Sequence, residues 1–365
     1  MKLSVNKDAL LEGLQKVQAI VSTRSTLPVL YNVYLKADQD RLWLTATDLE
    51  VTIRTSVEAK IARSGGTTLP AKRVFQIFKE LPTNEIELDV DDKDAATIQS
   101  GSAYYKIFGI SEDEFPPMPK FSGDKVYSIS QKLFKNMLQS THYAASSDES
   151  RPMLNGVLLS FKDGKLNVVA TDGRRMAMWE QEEESISPAM EGEWIVPTKT
   201  VQELLKSLKP EGDVRIQISD NQISLEFDNM HLISKLVDHS YPNFRQVIPQ
   251  GSDERITLER ELVMNAVRRV ALLLTDRNTP VTLRFTKGHL EVSAIVNDVG
   301  EAKEKVAIKY SGKEITVAFN PDFLMEPLRN LASDEVTLDV SDDLSPGVLR
   351  NDQPFLYVLM PMRVK

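Results

Sequence analysis

The side chains with most capacity for chemistry are two aspartates in a repeated tripeptide, Ala46–Asp48 and Ala170–Asp172. Two carboxylates could divide general-acid and general-base work. Their recurrence at matching places in the chain points instead to a structural duty, the capping of a turn. The four histidines, His142, His231, His239 and His289, lack the spacing of metal ligands. Cysteine is absent, which excludes disulfides and thiolate metal sites. No GxSxG, P-loop or GxGxxG pattern supports acyl transfer or nucleotide hydrolysis. The sequence thus predicts no catalysis, no metal and no cofactor. The alternative readings are an α+β hydrolase using the two carboxylates and a scaffold that binds proteins but never DNA.

The elements that must hold these aspartates recur three times. Lys7–Ser22, Ser130–Ser146 and Glu259–Thr275 each read as an amphipathic helix. Their apolar faces are Leu10, Leu14, Val17 and Val21; Phe134, Leu138, Thr141 and Ala145; and Val263, Val267, Val270 and Leu274. A second helix follows Pro70, Pro197 and Pro321, each placed in the first turn, where a missing N–H costs nothing. Pro327 is expected to kink or shorten the third of these. β-rich runs broken by Asp, Gly, Gln or Lys follow every helix and read as hairpins. The unit is therefore helix, strands, helix, strands, in three copies. Pro- and Gly-containing segments at Phe115–Val126 and Tyr241–Arg255 set the boundaries, giving domains 1–120, 126–248 and 250–365.

Charge is segregated along this pattern. The 365 residues carry a net −9, which by itself argues against phosphate binding. The six helical windows nevertheless hold 16 Lys and Arg against 9 Asp and Glu, while the chain as a whole has 44 against 53. A basic helical surface and an acidic sheet surface would suit contact with phosphates without reading bases. The chain has no apolar run of about 18 residues, and its opening MKLSVNKDALLEG lacks the apolar core of a signal peptide. A cytoplasmic location is expected.

Several literal stretches then carry a resemblance. They are TLPVLYNV (Thr26–Val33), TDLE (Thr47–Glu50), LNG (Leu154–Gly156), ATDGRR (Ala170–Arg175), SKLVD (Ser234–Asp238), YPNFRQVIP (Tyr241–Pro249) and VLMPMR (Val358–Arg363). In order and spacing they resemble the bacterial DNA sliding clamp family, the β subunit of DNA polymerase III. The resemblance implies an α+β fold of three tandem clamp domains, with helices inside and antiparallel sheets outside, closing as a head-to-tail homodimer into a six-domain ring. It implies a non-catalytic processivity factor that slides on double-stranded DNA without sequence preference. Its protein partners would be the polymerase III alpha subunit, the clamp loader, and other polymerases and repair proteins carrying short linear motifs.

The resemblance also assigns residues. DNA contacts fall on Arg24, Arg73, Lys199 and, in the loop Ser147–Met153, on Arg151. The dimer contact uses Tyr105 and Ile107 at one end and Leu272 and Leu273 at the other, with Lys72 and Arg73 facing Glu301 and Glu304. A partner-peptide cleft is lined by Leu154, Thr171, Gly173, Arg174, Arg175, Met176, Pro242 and Val247, and by Asn320, Phe323, Leu344, Val358, Leu359, Met360, Pro361 and Met362. Two positions depart from the family's common choices: Arg174 where His is frequent, and Gln246 where Arg is frequent. The loop departs as well, with Ser147, Asp148, Pro152 and Met153 where His or Gln and a pair of Tyr are common.

Overall fold

The computed structural model describes residues 1–21, 25–119, 121, 125–182, 191–252, 254–276 and 279–363. Among the described residues each copy has eight strands and two helices in the same order. The first is β1 (Lys2–Asn6), α1 (Lys7–Gln18), β2 (Asn32–Asp38), β3 (Arg41–Thr47), β4 (Val51–Arg63), β5 (Gly65–Pro70), α2 (Ala71–Glu80), β6 (Glu85–Val90), β7 (Ala95–Ser100) and β8 (Ala103–Phe108). The second is β9 (Lys125–Ser130), α3 (Gln131–Thr141), β10 (Gly156–Lys162), β11 (Lys165–Thr171), β12 (Arg175–Glu182), β13 (Gly192–Pro197), α4 (Thr198–Ser207), β14 (Asp213–Ile218), β15 (Gln222–Phe227) and β16 (Met230–Lys235). The third is β17 (Glu254–Glu259), α5 (Arg260–Val270), β18 (Val281–Thr286), β19 (His289–Val296), β20 (Gly300–Ala307), β21 (Ile315–Phe319), α6 (Pro321–Asn330), β22 (Glu335–Val340), β23 (Gly347–Arg350) and β24 (Phe355–Leu359).

Local signals explain where the helices begin and what they bury. The Asn6 side chain accepts from the N–H groups of Asp8 and Ala9 at 3.0 and 3.1 Å, satisfying two orphan donors at the start of α1. Leu10, Leu14 and Val17 then fall on one face and are buried, each contributing about 1.5–3 kcal/mol of transfer free energy. Gly13 shares that face. A Cβ there would lie 2.5 Å from Leu44 Cδ1, so the absence of a side chain lets α1 approach β3 closely.

The prolines differ from expectation in two ways. Pro70 is the residue before α2 and Pro197 ends β13, so only Pro321 occupies a first helical position. The third helix is also not shortened at Pro327: α6 has 10 residues, as do α2 and α4. Pro327 cannot donate to the carbonyl of Phe323, one turn back. The buried Tyr357 hydroxyl donates to that carbonyl instead, at 2.7 Å, so the helix runs on without an unsatisfied group.

The compact units of the chain do not follow the copies. One unit comprises Met1–Lys132 and Gln202–Leu236, the other Leu133–Val201 and Val237–Lys365. In the first, β8, β7, β6, β1, β4, β16, β15, β14 and β9 lie side by side, with β3, β2 and β5 continuing from β4. In the second, β13, β10, β11, β12, β24, β23, β22 and β17 form one sheet, and β20, β19, β18 and β21 another. Backbone ladders therefore join successive copies. The β4–β16 ladder links the first to the second, and the β12–β24 ladder the second to the third. Hydrogen bonding across copy boundaries is why each compact unit takes in part of the second copy.

Candidate functional site

The tripeptide aspartates cap turns. Asp48 Oδ1 accepts from the N–H groups of Glu50 and Val51, and Asp172 Oδ1 from those of Arg174 and Arg175. The second turn is tight: the Thr171 hydroxyl donates to the Arg175 carbonyl at 2.6 Å, and Gly173 adopts φ +86°, a conformation glycine takes without steric cost. The turn delivers β12 to β24, pairing Arg175 with Leu359 and Met176 with Val358.

An apolar core forms where these strands meet, wholly inside the second unit. It is a continuous cluster of Leu158, Val169, Met176 and Ile195 from the second copy with Val348, Leu356 and Val358 from the third. Phe244, in the connecting segment, completes it. Of the cleft residues expected from sequence, Leu154, Met176, Val358 and Leu359 are buried, Met176 and Val358 within this core. Val247, Leu344 and Met360 are exposed at 50%, 63% and 44%, respectively, and Gly173, Arg174 and Pro242 are also exposed. Thr171, Phe323, Pro361 and Met362 are half-buried. Asn320 caps α6, accepting from the N–H groups of Asp322 and Phe323.

Arg175 is only 8% exposed and braces the two copies. It pairs with Asp172 at 3.1 Å and with Glu326 on α6, donates to the Tyr143 carbonyl at 2.7 Å, and stacks over Phe323 at 4.2 Å. A guanidinium removed from water is tolerable because carboxylates and a carbonyl surround it. Burial pushes the phenols of Tyr143 and Tyr357 beside it well above their usual range, so both hydroxyls keep their protons.

Two hollows open on the second unit. One, of about 390 Å³, is lined by Ser146, Ser147, Asp148, Arg151, Asp172, Arg174, Arg175 and Phe323. The other, of about 670 Å³, includes Leu344, Met362, Ala318, Asp342 and Asp343. Between them the segment Met360–Met362 is pinned at both ends. The Met360 N–H donates to the Arg174 carbonyl, and the Met362 N–H to that of Ala318. An extended, partly apolar peptide can lie on such a surface, with pockets for alternate side chains. Sequence reasoning missed Phe244, Val348, Glu326 and Tyr143. Phe244 stands between Asn243 and Arg245 and Val348 in a short strand, neither in a pattern that marks it, and the last two matter only through the long-range position of Arg175.

The cations assigned to DNA are placed unequally. Arg24 lies outside the described residues. Arg73 is exposed on α2 beside Lys72, and Lys199 is exposed in the first turn of α4. Arg151 is engaged: its Nε pairs with Asp148 at 3.0 Å and its Nη1 donates to the Asp172 carbonyl at 3.3 Å.

The assigned end residues lie on open edges of their own units. Tyr105 is exposed and Ile107 buried on β8, an edge strand. Leu272 is 81% exposed in the short turn after α5, and Leu273 is half-buried against Gly300 of β20, also an edge. Within the chain Glu304 pairs with Arg269 at 2.8 Å and Glu301 with Lys303.

Three α+β modules in tandem, their sheets joined by backbone ladders, define the class as a DNA clamp. Models of the N-terminal, central and C-terminal domains of the DNA polymerase III beta subunit match residues 1–119, 128–243 and 245–363. The beta sliding clamp of Chlamydia pneumoniae is 34% identical over 364 residues, covering 100% of this chain and 99% of the relative. A DnaN sliding clamp from Bartonella birtlesii, in a crystal structure bound to griselimycin, aligns over 100% of both chains with a TM-score of 0.95 and 32% identity. The sliding clamp of Bacillus subtilis aligns as completely, with a TM-score of 0.95 and 27% identity. The chain belongs to the family of bacterial β sliding clamps, the DNA polymerase III beta subunits. It is a processivity clamp of DNA replication, and the family is a non-catalytic subunit of the polymerase. Among the described residues no helix is long and apolar enough to cross a membrane.

Proposed function

We propose that two copies of this chain, with domains at 1–120, 126–248 and 250–365, close head-to-tail into a ring around duplex DNA in the cytoplasm. In this reading polymerase and other replication or repair proteins dock on the cleft through short apolar peptides. Topology then supplies processivity: a closed ring cannot leave sideways, so weak and mobile phosphate contacts suffice. Arg24, Arg73 and Lys199 are the cations assigned to that contact. Arg151, tied to Asp148, has less freedom to reach phosphate. In the cleft each buried apolar side chain gains about 1.5–3 kcal/mol, and ordering the peptide offsets much of it, so partners can exchange.

The observation that carries the reading is the repeat of one ladder. Thr45, Val169 and Ser293 are equivalent in the three copies, and their partners in β4, β12 and β20 are Arg54, Met178 and Lys303. On the other edge Gln99, Glu226 and Arg350 pair with Tyr104, His231 and Leu356 of β8, β16 and β24. The two ladders between copies align these same positions, Arg54 with His231 and Met178 with Leu356. The remaining equivalents, Lys303 and Tyr104, sit on strands with an open edge. Repetition of the rule pairs Lys303 of one copy with Tyr104 of the other. Lys106 then lies opposite Glu301, Ile107 opposite Gly300 and Phe108 opposite Val299. Exposed apolar side chains support this: Tyr104 is 63%, Phe108 74% and Val299 56% exposed, and open strand edges invite pairing.

The chain has no cysteine, so a Tyr104→Cys, Lys303→Cys variant tests the register directly. Oxidation should give a covalent dimer, and Tyr105→Cys with Lys303→Cys should not. The locked dimer should stay on nicked circular DNA and slide off once that DNA is linearised. A chain that is monomeric by light scattering at every concentration, or equal retention on both DNAs, would overturn the ring.

A further inference from the structure

We infer that the cleft selects peptides with an acidic side chain on the Arg174 flank of their apolar anchors and disfavours one on the Leu344 flank. This rests on the peptide-docking reading above and names the chemistry of the partner. In the smaller hollow both lining carboxylates are already committed. Asp148 accepts from the Ser150 hydroxyl and from Arg151 Nε, and Asp172 from two backbone N–H groups and Arg175 Nε. Two of the three guanidiniums there are committed as well. Arg151 is clasped to Asp148, and Arg175 is buried between Asp172 and Glu326.

Arg174 is different. Its backbone is fixed on both sides, the N–H on Asp172 and the carbonyl under the Met360 N–H. Its exposed side chain meets no carboxylate or carbonyl among the described residues. A planar fork on a rigid backbone, beside an apolar floor, is matched to a carboxylate. The exposed Ser147 hydroxyl in the same hollow can donate to that carboxylate too.

The other flank has the opposite sign. Asp342 is held in its own turn by the N–H groups of Leu344 and Ser345, and Glu314 is paired with Arg284. Asp343 lies exposed beside Leu344, with Arg363 as the cation of that hollow. The pinned segment Met360–Met362 joins the two flanks. Two residue steps of extended chain cover about 7 Å, so one short peptide spans both and feels their opposite charge.

The test uses the full chain and three peptides, acetylated and amidated so that termini carry no charge. They share one set of apolar anchors and bear Asp on one flank, Asp on the other, or Asn on both. Fluorescence anisotropy should show one Asp peptide binding about threefold to tenfold tighter than the Asn peptide and the other more weakly. Added salt should shrink the difference. Arg174→Ala should erase the preference, and Arg174→Glu should transfer it to a Lys-bearing peptide. Equal affinity of all three peptides for the native chain, or a preference that survives Arg174→Ala, overturns this inference alone. Failure of every peptide to bind, the neutral one included, overturns the docking reading with it.

Discussion

Neighbouring arginines show how much a single position decides. Arg174 and Arg175 are adjacent in one motif, yet one is exposed at the rim while the other is buried in a brace between two copies. Tyr357 has a comparable hidden duty, because its hydroxyl replaces the hydrogen bond that Pro327 cannot make. Removing a donor and leaving a buried carbonyl unsatisfied costs about 1–3 kcal/mol. Tyr357→Phe should lower stability by that amount in urea unfolding, and the added variant Pro327→Ala should recover most of the loss. Glu112 makes a third case. Burial alone would raise its carboxyl, but the Tyr34 hydroxyl at 2.5 Å and the Lys36 ammonium outweigh it and hold the carboxyl below its usual value. A folded-state value below the unfolded one means the contribution is present above the ordinary carboxylate range. It is lost as pH falls through the folded value. Urea midpoints measured from neutral pH to about pH 3 should therefore fall less for Tyr34→Phe than for the native chain.

At the scale of elements, helix pattern was legible and strand partners were not. The apolar series of α1, α3 and α5 depend on residues within a few positions of each other. The close seat of α1 on β3 depends on Gly13, which the pattern alone marks only as a gap. Gly13→Ala improves helix propensity by about 1 kcal/mol. It also drives a methyl into Leu44 and Val57, and overpacking of this kind costs about 1–3 kcal/mol. A net loss of thermal stability is expected, against a gain for an alanine placed at an exposed position of the same helix.

The whole molecule is organised by ladders that ignore the boundaries of the repeat. Two of three equivalent edges are paired inside the chain, and the third pair is open. In the ring reading Lys106 and Glu301 of different copies stand opposite each other, a contact partly exposed and worth about 0.2–1 kcal/mol. The ring holds this contact twice, so Lys106→Glu should weaken the dimer in sedimentation by up to about thirtyfold, and adding Glu301→Lys should restore it. Equal weakening by the single and double changes would place the strands in another register.

The sequence by itself determined the threefold repeat, the six helices, the hairpins and the turn duty of Asp48 and Asp172. All of these rest on contacts between near neighbours in the chain, and such contacts leave a period or a cap in the order of residues. Tertiary structure alone decided that β4 meets β16 and β12 meets β24, and that Arg175 is interior and Arg174 exterior. Those outcomes depend on groups 151 or more positions apart, as Arg175 and Glu326 are, and no periodicity records which distant strand or carboxylate will arrive.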